Sequence, residues 1–79
     1  MKLVLYTTDH CSLCERALDL LLSMPETRGR SLQVLDVVES VDLLERYGAR
    51  LPVLAVGGVD LDWPFDRAAV VEALDRAGA

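Results

Sequence analysis

A mixed α/β sheet, four strands with helices on both faces in the order β-α-β-α-β-β-α, is the fold class the sequence predicts. Three observations carry it. Short apolar runs alternate with stretches of helical spacing along the chain. The first three segments read strand, helix, strand, which implies a parallel right-handed crossover. A Gly57-Gly58 pair between two later runs folds the chain back as a hairpin, so part of the sheet is antiparallel.

Each element has its own warrant. "KLVLY" (2–6) is a continuous apolar run, the mark of a buried strand. In "CSLCERALDLLLSM" (11–24), Leu13, Ala17, Leu20, Leu21 and Met24 recur at steps of three and four, predicting an amphipathic helix that Pro25 stops. "ETRGRS" (26–31) is a polar loop, and "LQVLDVV" (32–38) is a second strand. Ser40 caps a second helix over "VDLLERY" (41–47), Asp42 favours its positive end, and Gly48 ends it as a C′ residue. "PVLAV" (52–56) and "VDLDW" (59–63) are the hairpin strands. Asp66 caps the last helix, with Phe65 and Val70 at hydrophobic-staple positions and Gly78 closing it.

The chain has 79 residues, room for a single domain spanning 1–79. At 52% apolar residues it reads as folded rather than disordered. A net charge of −5 argues against nucleic acid and against an anionic membrane surface, both of which need a basic face. The longest apolar run, in "ALDLLLSM", is too short to span a bilayer and contains Asp19. No export signal is visible, so a cytoplasmic location is expected. A monomer is expected as well.

The two cysteines of the chain stand three apart, Cys11 and Cys14, where the first strand gives way to the first helix. That spacing brings two side chains onto one helical face, within reach of a disulfide. It closes a tiny loop, a poor device for stabilising a chain. The start of a helix offers unpaired amide N–H groups and a positive dipole end, and both lower a thiol pKa. Cys11 is therefore the expected nucleophile and Cys14 the resolving thiol. Two other readings stand beside this one. Both sulfurs could be small core groups, which suits Cys14 but not Cys11 after the polar "TTDH". A closed zinc site needs about four ligands, and with two thiols and His10 it would need a second chain.

The stretches "LYTTDHCSLC" (5–14) and "YGARLPVL" (47–54), with the element order above, resemble the glutaredoxin-like branch of the thioredoxin superfamily, especially its short bacterial members. The resemblance covers essentially the whole chain. It implies a thioredoxin-like fold and a thiol–disulfide oxidoreductase that reduces protein or glutathione mixed disulfides. Glutathione enters as a possible co-substrate, and no bound cofactor or resident metal is expected. It also implies a cis peptide at Leu51-Pro52, with the Leu51 backbone facing Cys11 to align an extended substrate. Two alternatives stand: a non-catalytic binding module of the same fold, and a metal or iron–sulfur carrier bridging two chains.

The sequence departs from the common glutaredoxin pattern in three places. Ser12-Leu13 replaces the inner Pro-Tyr of C-P-Y-C, removing an aromatic wall of the glutathione site. Arg50-Leu51-Pro52 replaces T-V-P. "WPFD" (63–66) stands where a G-G-x-D segment grips a glutathione carboxylate.

Other residues carry two readings each. His10 either stabilises a Cys11 thiolate when protonated or is a solvated loop residue. Asp9 and Glu15 flank the site and oppose thiolate formation, though exposed charges are screened; Glu15 also suits the helix start. Arg50 either guides an anionic partner, offsets Glu15, or is solvated. Arg28 and Arg30 face solvent. Tyr6 packs under the site. Trp63 and Phe65 anchor the last helix on the sheet, unless Trp63 lies exposed near Cys11.

Overall fold

The alternation of side chains along each strand decides which layer they join. The computed structural model describes residues 2–78. Its elements are β1 (Lys2–Thr7), α1 (Ser12–Ser23), β2 (Ser31–Asp36), α2 (Val41–Tyr47), β3 (Val53–Val56), β4 (Val59–Asp62) and α3 (Arg67–Gly78). The sheet order is β2-β1-β3-β4. β1 runs parallel to β2 and antiparallel to β3, and β4 returns antiparallel beside β3. This is the α/β, thioredoxin-like arrangement read from the sequence.

One face of the sheet presents Leu3, Leu5, Leu54 and Val56, all fully buried. Ala17 and Leu21 of α1 and Val70, Ala73 and Leu74 of α3 close over them as the main core. Full burial of one such leucine contributes about 1.5–3 kcal/mol, so this layer dominates the cohesion of a domain with little core to spare. The other face carries a smaller cluster: Val37, Tyr47 and Val53, with Tyr6, Leu43 and Leu51 against it. Tyr6 and Tyr47 stack there at 4.1 Å between ring centroids. Burial pushes the Tyr47 phenol above its ordinary pKa.

Several local expectations shift. Leu13 is 41% exposed, not on the core face. The buried stripe of α1 is Cys14, Ala17 and Leu21, so Cys14 occupies the inward place assigned to Leu13. The polar loop after Met24 contains a 3₁₀ turn, Pro25–Thr27, in which the buried Thr27 hydroxyl donates to the carbonyls of Leu21 and Met24. β2 ends at Asp36 rather than residue 38. The Asp36 carboxylate accepts from the Val38 N–H and turns Val37–Glu39 into a 3₁₀ turn. Gly48 is right-handed (φ −56°), so it is not a left-handed C′ residue. It is needed there because a Cβ would strike the Leu44 carbonyl oxygen.

The remaining devices stand where the sequence put them. Ser40 Oγ accepts from Leu43 N–H at 3.4 Å, and Asp66 Oδ1 from Ala69 N–H at 2.8 Å. Phe65 and Val70 share the main core, and Trp63 meets Phe65 edge-on at 5.1 Å. Gly57 and Gly58 turn the hairpin with φ of +53° and +87°. A Cβ on Gly57 would lie 2.7 Å from the Ala77 side chain of α3; one on Gly58 would meet nothing.

Candidate functional site

The dithiol sits where β1 hands over to α1. Thr7 closes the strand, and its hydroxyl donates to the Leu35 carbonyl of β2 at 3.4 Å. The chain then reverses through His10, the one non-glycine residue with positive φ among the described residues (+57°). That reversal delivers Cys11 to the N-cap of α1 in extended backbone, φ −111° and ψ 102°. A cap residue supplies an acceptor to the first free amides of a helix. Here the acceptor is sulfur: Cys14 N–H donates to Cys11 Sγ at 3.2 Å. The two Cα atoms are 5.2 Å apart and the sulfurs are in disulfide contact.

The sulfurs differ in access. Cys14 is 4% exposed, on the inner stripe of α1, while Cys11 is half-buried at the rim. They open on a cleft of about 190 Å³ lined by Thr7, Thr8, Asp9, His10, Cys11, Cys14, Glu15, Leu18 and Val34. The sequence-predicted residues His10, Cys11, Cys14 and Glu15 therefore meet in one place. Sequence reasoning missed Thr7, Thr8, Leu18 and Val34 as walls. Val34 is on β2, brought alongside Leu5 by the parallel register, so its signal lay in the strand pairing rather than in any spacing near the cysteines.

Arg50, Leu51 and Pro52 do not line that cleft. Leu51 and Pro52 immediately precede the first paired residue of β3, Val53, opposite Tyr6. The Leu51-Pro52 and Trp63-Pro64 peptide bonds are both cis. Leu51 packs on the smaller cluster and Pro52 is fully buried. Arg50 is ion-paired with a carboxylate of the neighbouring strand. Its Nη2 lies 2.7 Å from Asp62 Oδ1 on β4, and its guanidinium lies 5.7 Å from the centre of the Tyr47 ring. The Asp62 hydrogen bond holds the Arg50 pKa above its ordinary value. Trp63 does not line the cleft; half-buried, it packs against the main core beside Phe65. Among the described residues no group of three or more His, Cys, Asp or Glu is arranged to hold a metal ion. No helix among them is long and apolar enough to cross a membrane.

A strand-to-helix dithiol on a β2-β1-β3-β4 sheet is a pattern that known proteins share. A family model described as "Glutaredoxin-like domain (DUF836)" matches residues 2–75. The chain belongs to this glutaredoxin-like family. The chain is also similar to solved structures. The X-ray structure of protein XcR50 from X. campestris is 36% identical, with a TM-score of 0.77 over 95% of this chain and 97% of that one. The solution structure of the same protein gives 36% and 0.77 over 98% and 96%. Thioredoxin 1 from Thermosipho africanus, 18% identical with a TM-score of 0.69 over 96% and 92%, shares the fold. No curated protein matches. This glutaredoxin-like chain thus keeps a close Cys11–Cys14 pair on a thioredoxin-type fold.

Proposed function

We propose that the chain is a small cytoplasmic thiol–disulfide oxidoreductase whose Cys11–Cys14 dithiol reduces protein or glutathione mixed disulfides. The single observation supporting this most strongly is the position of Cys11 Sγ as the cap of α1, accepting the Cys14 amide. In the reduced protein that amide and the helix dipole favour the thiolate, the form that attacks a disulfide. Cys11 breaks the substrate S–S bond and forms a mixed disulfide with one half. The other half leaves as a thiolate and takes up a proton. Cys14, one helical turn inward, then attacks Cys11 Sγ, forms the Cys11–Cys14 bond and expels the second half. Two electrons pass from the dithiol to the substrate, and a thiol reductant restores the pair. Leu51 and Pro52 align the substrate backbone from the second side, with Arg50 held beside them by Asp62. His10 and Glu15 modulate the charge around the nucleophile.

The test is a trap. Cys14→Ser, incubated with a disulfide-bearing protein or oxidised glutathione, accumulates an adduct on Cys11 whose mass identifies the bound half. Cys11→Ser accumulates none. Absence of any adduct on Cys14→Ser would remove the oxidoreductase reading and leave a binding module.

A further inference from the structure

The walls of the cleft carry charge of one sign. Asp9 and Glu15 line it, and no lysine or arginine does; the other titratable groups facing it are His10 and the two cysteines themselves. Arg16, the next residue along α1, is not among the lining residues. Arg50, the cation nearest in sequence to the Leu51-Pro52 segment, is ion-paired with Asp62. With Asp62 paired to Arg50, Asp60 on β4 adds one further carboxylate on the Arg50 side. The whole chain is at −5. A substrate approaching Cys11 therefore meets negative potential close in and at a distance, and potentials of this kind set encounter rates. The remaining lining is Thr7, Thr8, Leu18 and the 45%-exposed Val34: hydroxyls and apolar surface that can meet an extended peptide, with no cation to pair a carboxylate.

We infer that the preferred substrate is a disulfide flanked by lysine or arginine in a polypeptide, and that oxidised glutathione, with its carboxylates, is disfavoured. This rests on the oxidoreductase reading and specifies its substrate class. The chemistry is unchanged: the peptide disulfide gains two electrons and two protons, the dithiol becomes the Cys11–Cys14 disulfide, and an external dithiol reductant regenerates it. The acidic wall acts before that step, by raising the local concentration of cationic partners.

The experiment uses one peptide sequence closed by a single disulfide, made with flanking lysines, with flanking glutamates, and with neutral flanks. Oxidised glutathione is the fourth substrate and dithiothreitol the reductant. The expected result is a kcat/KM for the lysine peptide about tenfold or more above that for the glutamate peptide at low salt. The neutral peptide falls between them and oxidised glutathione sits near the glutamate peptide. In 1 M salt, where the screening length is about 3 Å, the ratio collapses toward one. Asp9→Asn/Glu15→Gln lowers the low-salt ratio. The ratio is the right readout because any effect of removing these carboxylates on Cys11 itself changes both rates together. Glu72→Gln/Asp75→Asn, the same charge change on α3 beside Glu26 at the far end of α1, leaves the ratio high.

Equal rates for the lysine and glutamate peptides at low salt overturn the inference while leaving the oxidoreductase reading intact. So does an α3 variant that lowers the ratio as much as the cleft variant, since the preference would then belong to net charge alone. Reduction of none of the four substrates, together with no Cys14→Ser adduct, overturns both.

Discussion

The starts of α1 and α3 are built alike and do different work. At each, a side chain reaches forward three residues to accept a backbone N–H: Cys11 Sγ from Cys14 at 3.2 Å, Asp66 Oδ1 from Ala69 at 2.8 Å. At α3 the acceptor is a carboxylate oxygen, the bond is short, and Phe65 on one side and Val70 on the other pin the entry of the chain. Nothing remains for that cap to do but hold the helix. At α1 the acceptor is a sulfur, a weaker partner for an amide but one that can form a covalent bond. On the proposed function, the amide that would steady a helix would in the reduced protein also steady a thiolate. One local arrangement thus places oxygen at one helix start and a disulfide-forming sulfur at the other.

The largest way to break the comparison is Cys11→Ser. Serine is among the better cap residues, so the helix start is retained and thermal stability holds close to the parent. Disulfide reduction falls to background. A melting curve and a turnover assay on the same sample check both halves; a large drop in stability would mean that Cys11 is structural.

The complementary change, Asp66→Ala, acts the other way. Loss of the α3 cap costs about 1 kcal/mol. In a domain this small that lowers Tm by roughly 4–8 °C. Reduction measured below the transition is unaltered. Ser40→Ala at α2, whose cap bond is 3.4 Å, costs less, about 0.5 kcal/mol. Chemical denaturation curves of the two variants rank them.

The smallest effect sharpens the same contrast at the other end of α1. Just past it, Glu26 pairs with Arg67 on the first turn of α3. The Arg67 hydrogen bond holds the Glu26 carboxyl below its usual pKa. A carboxyl depressed in the folded state stabilises it above the unfolded value, roughly 4.3 for Glu. That stabilisation is lost as pH falls through the folded value. Glu26→Gln is therefore slightly less stable than the parent near neutrality, and the gap closes in acid. Thermal melts across that range measure it.

How far the sequence alone could go follows from the range of the interactions. Caps and turns are local, so Ser40, Asp66 and Gly57-Gly58 were legible from neighbouring residues. The dithiol was legible for the same reason, its geometry being set within four residues of chain. The rotation of α1 was not. Leu13 and Cys14 differ by one step, and the docking of the helix on Leu3 and Leu5 decides which of them turns inward. The ion pair of Arg50 was not legible because its partner, Asp62, arrives only when β4 pairs with β3. Val34 joined the cleft through β2 pairing with β1, a relation no motif around the cysteines encodes. The early end of β2 was readable in principle: Asp36 is an acceptor two residues before the amide it captures, though "LQVLDVV" reads more strongly as strand.

The hairpin offers two glycines of equal backbone habit and unequal tolerance. At position 58 a newcomer faces only an awkward torsion, which asparagine can bear. At position 57 it must also displace the methyl of Ala77, and so lever the closing turn of the terminal helix away from the sheet. The last turn of α3 is thus seated on a missing carbon, and the smallest side chain added there would press on it.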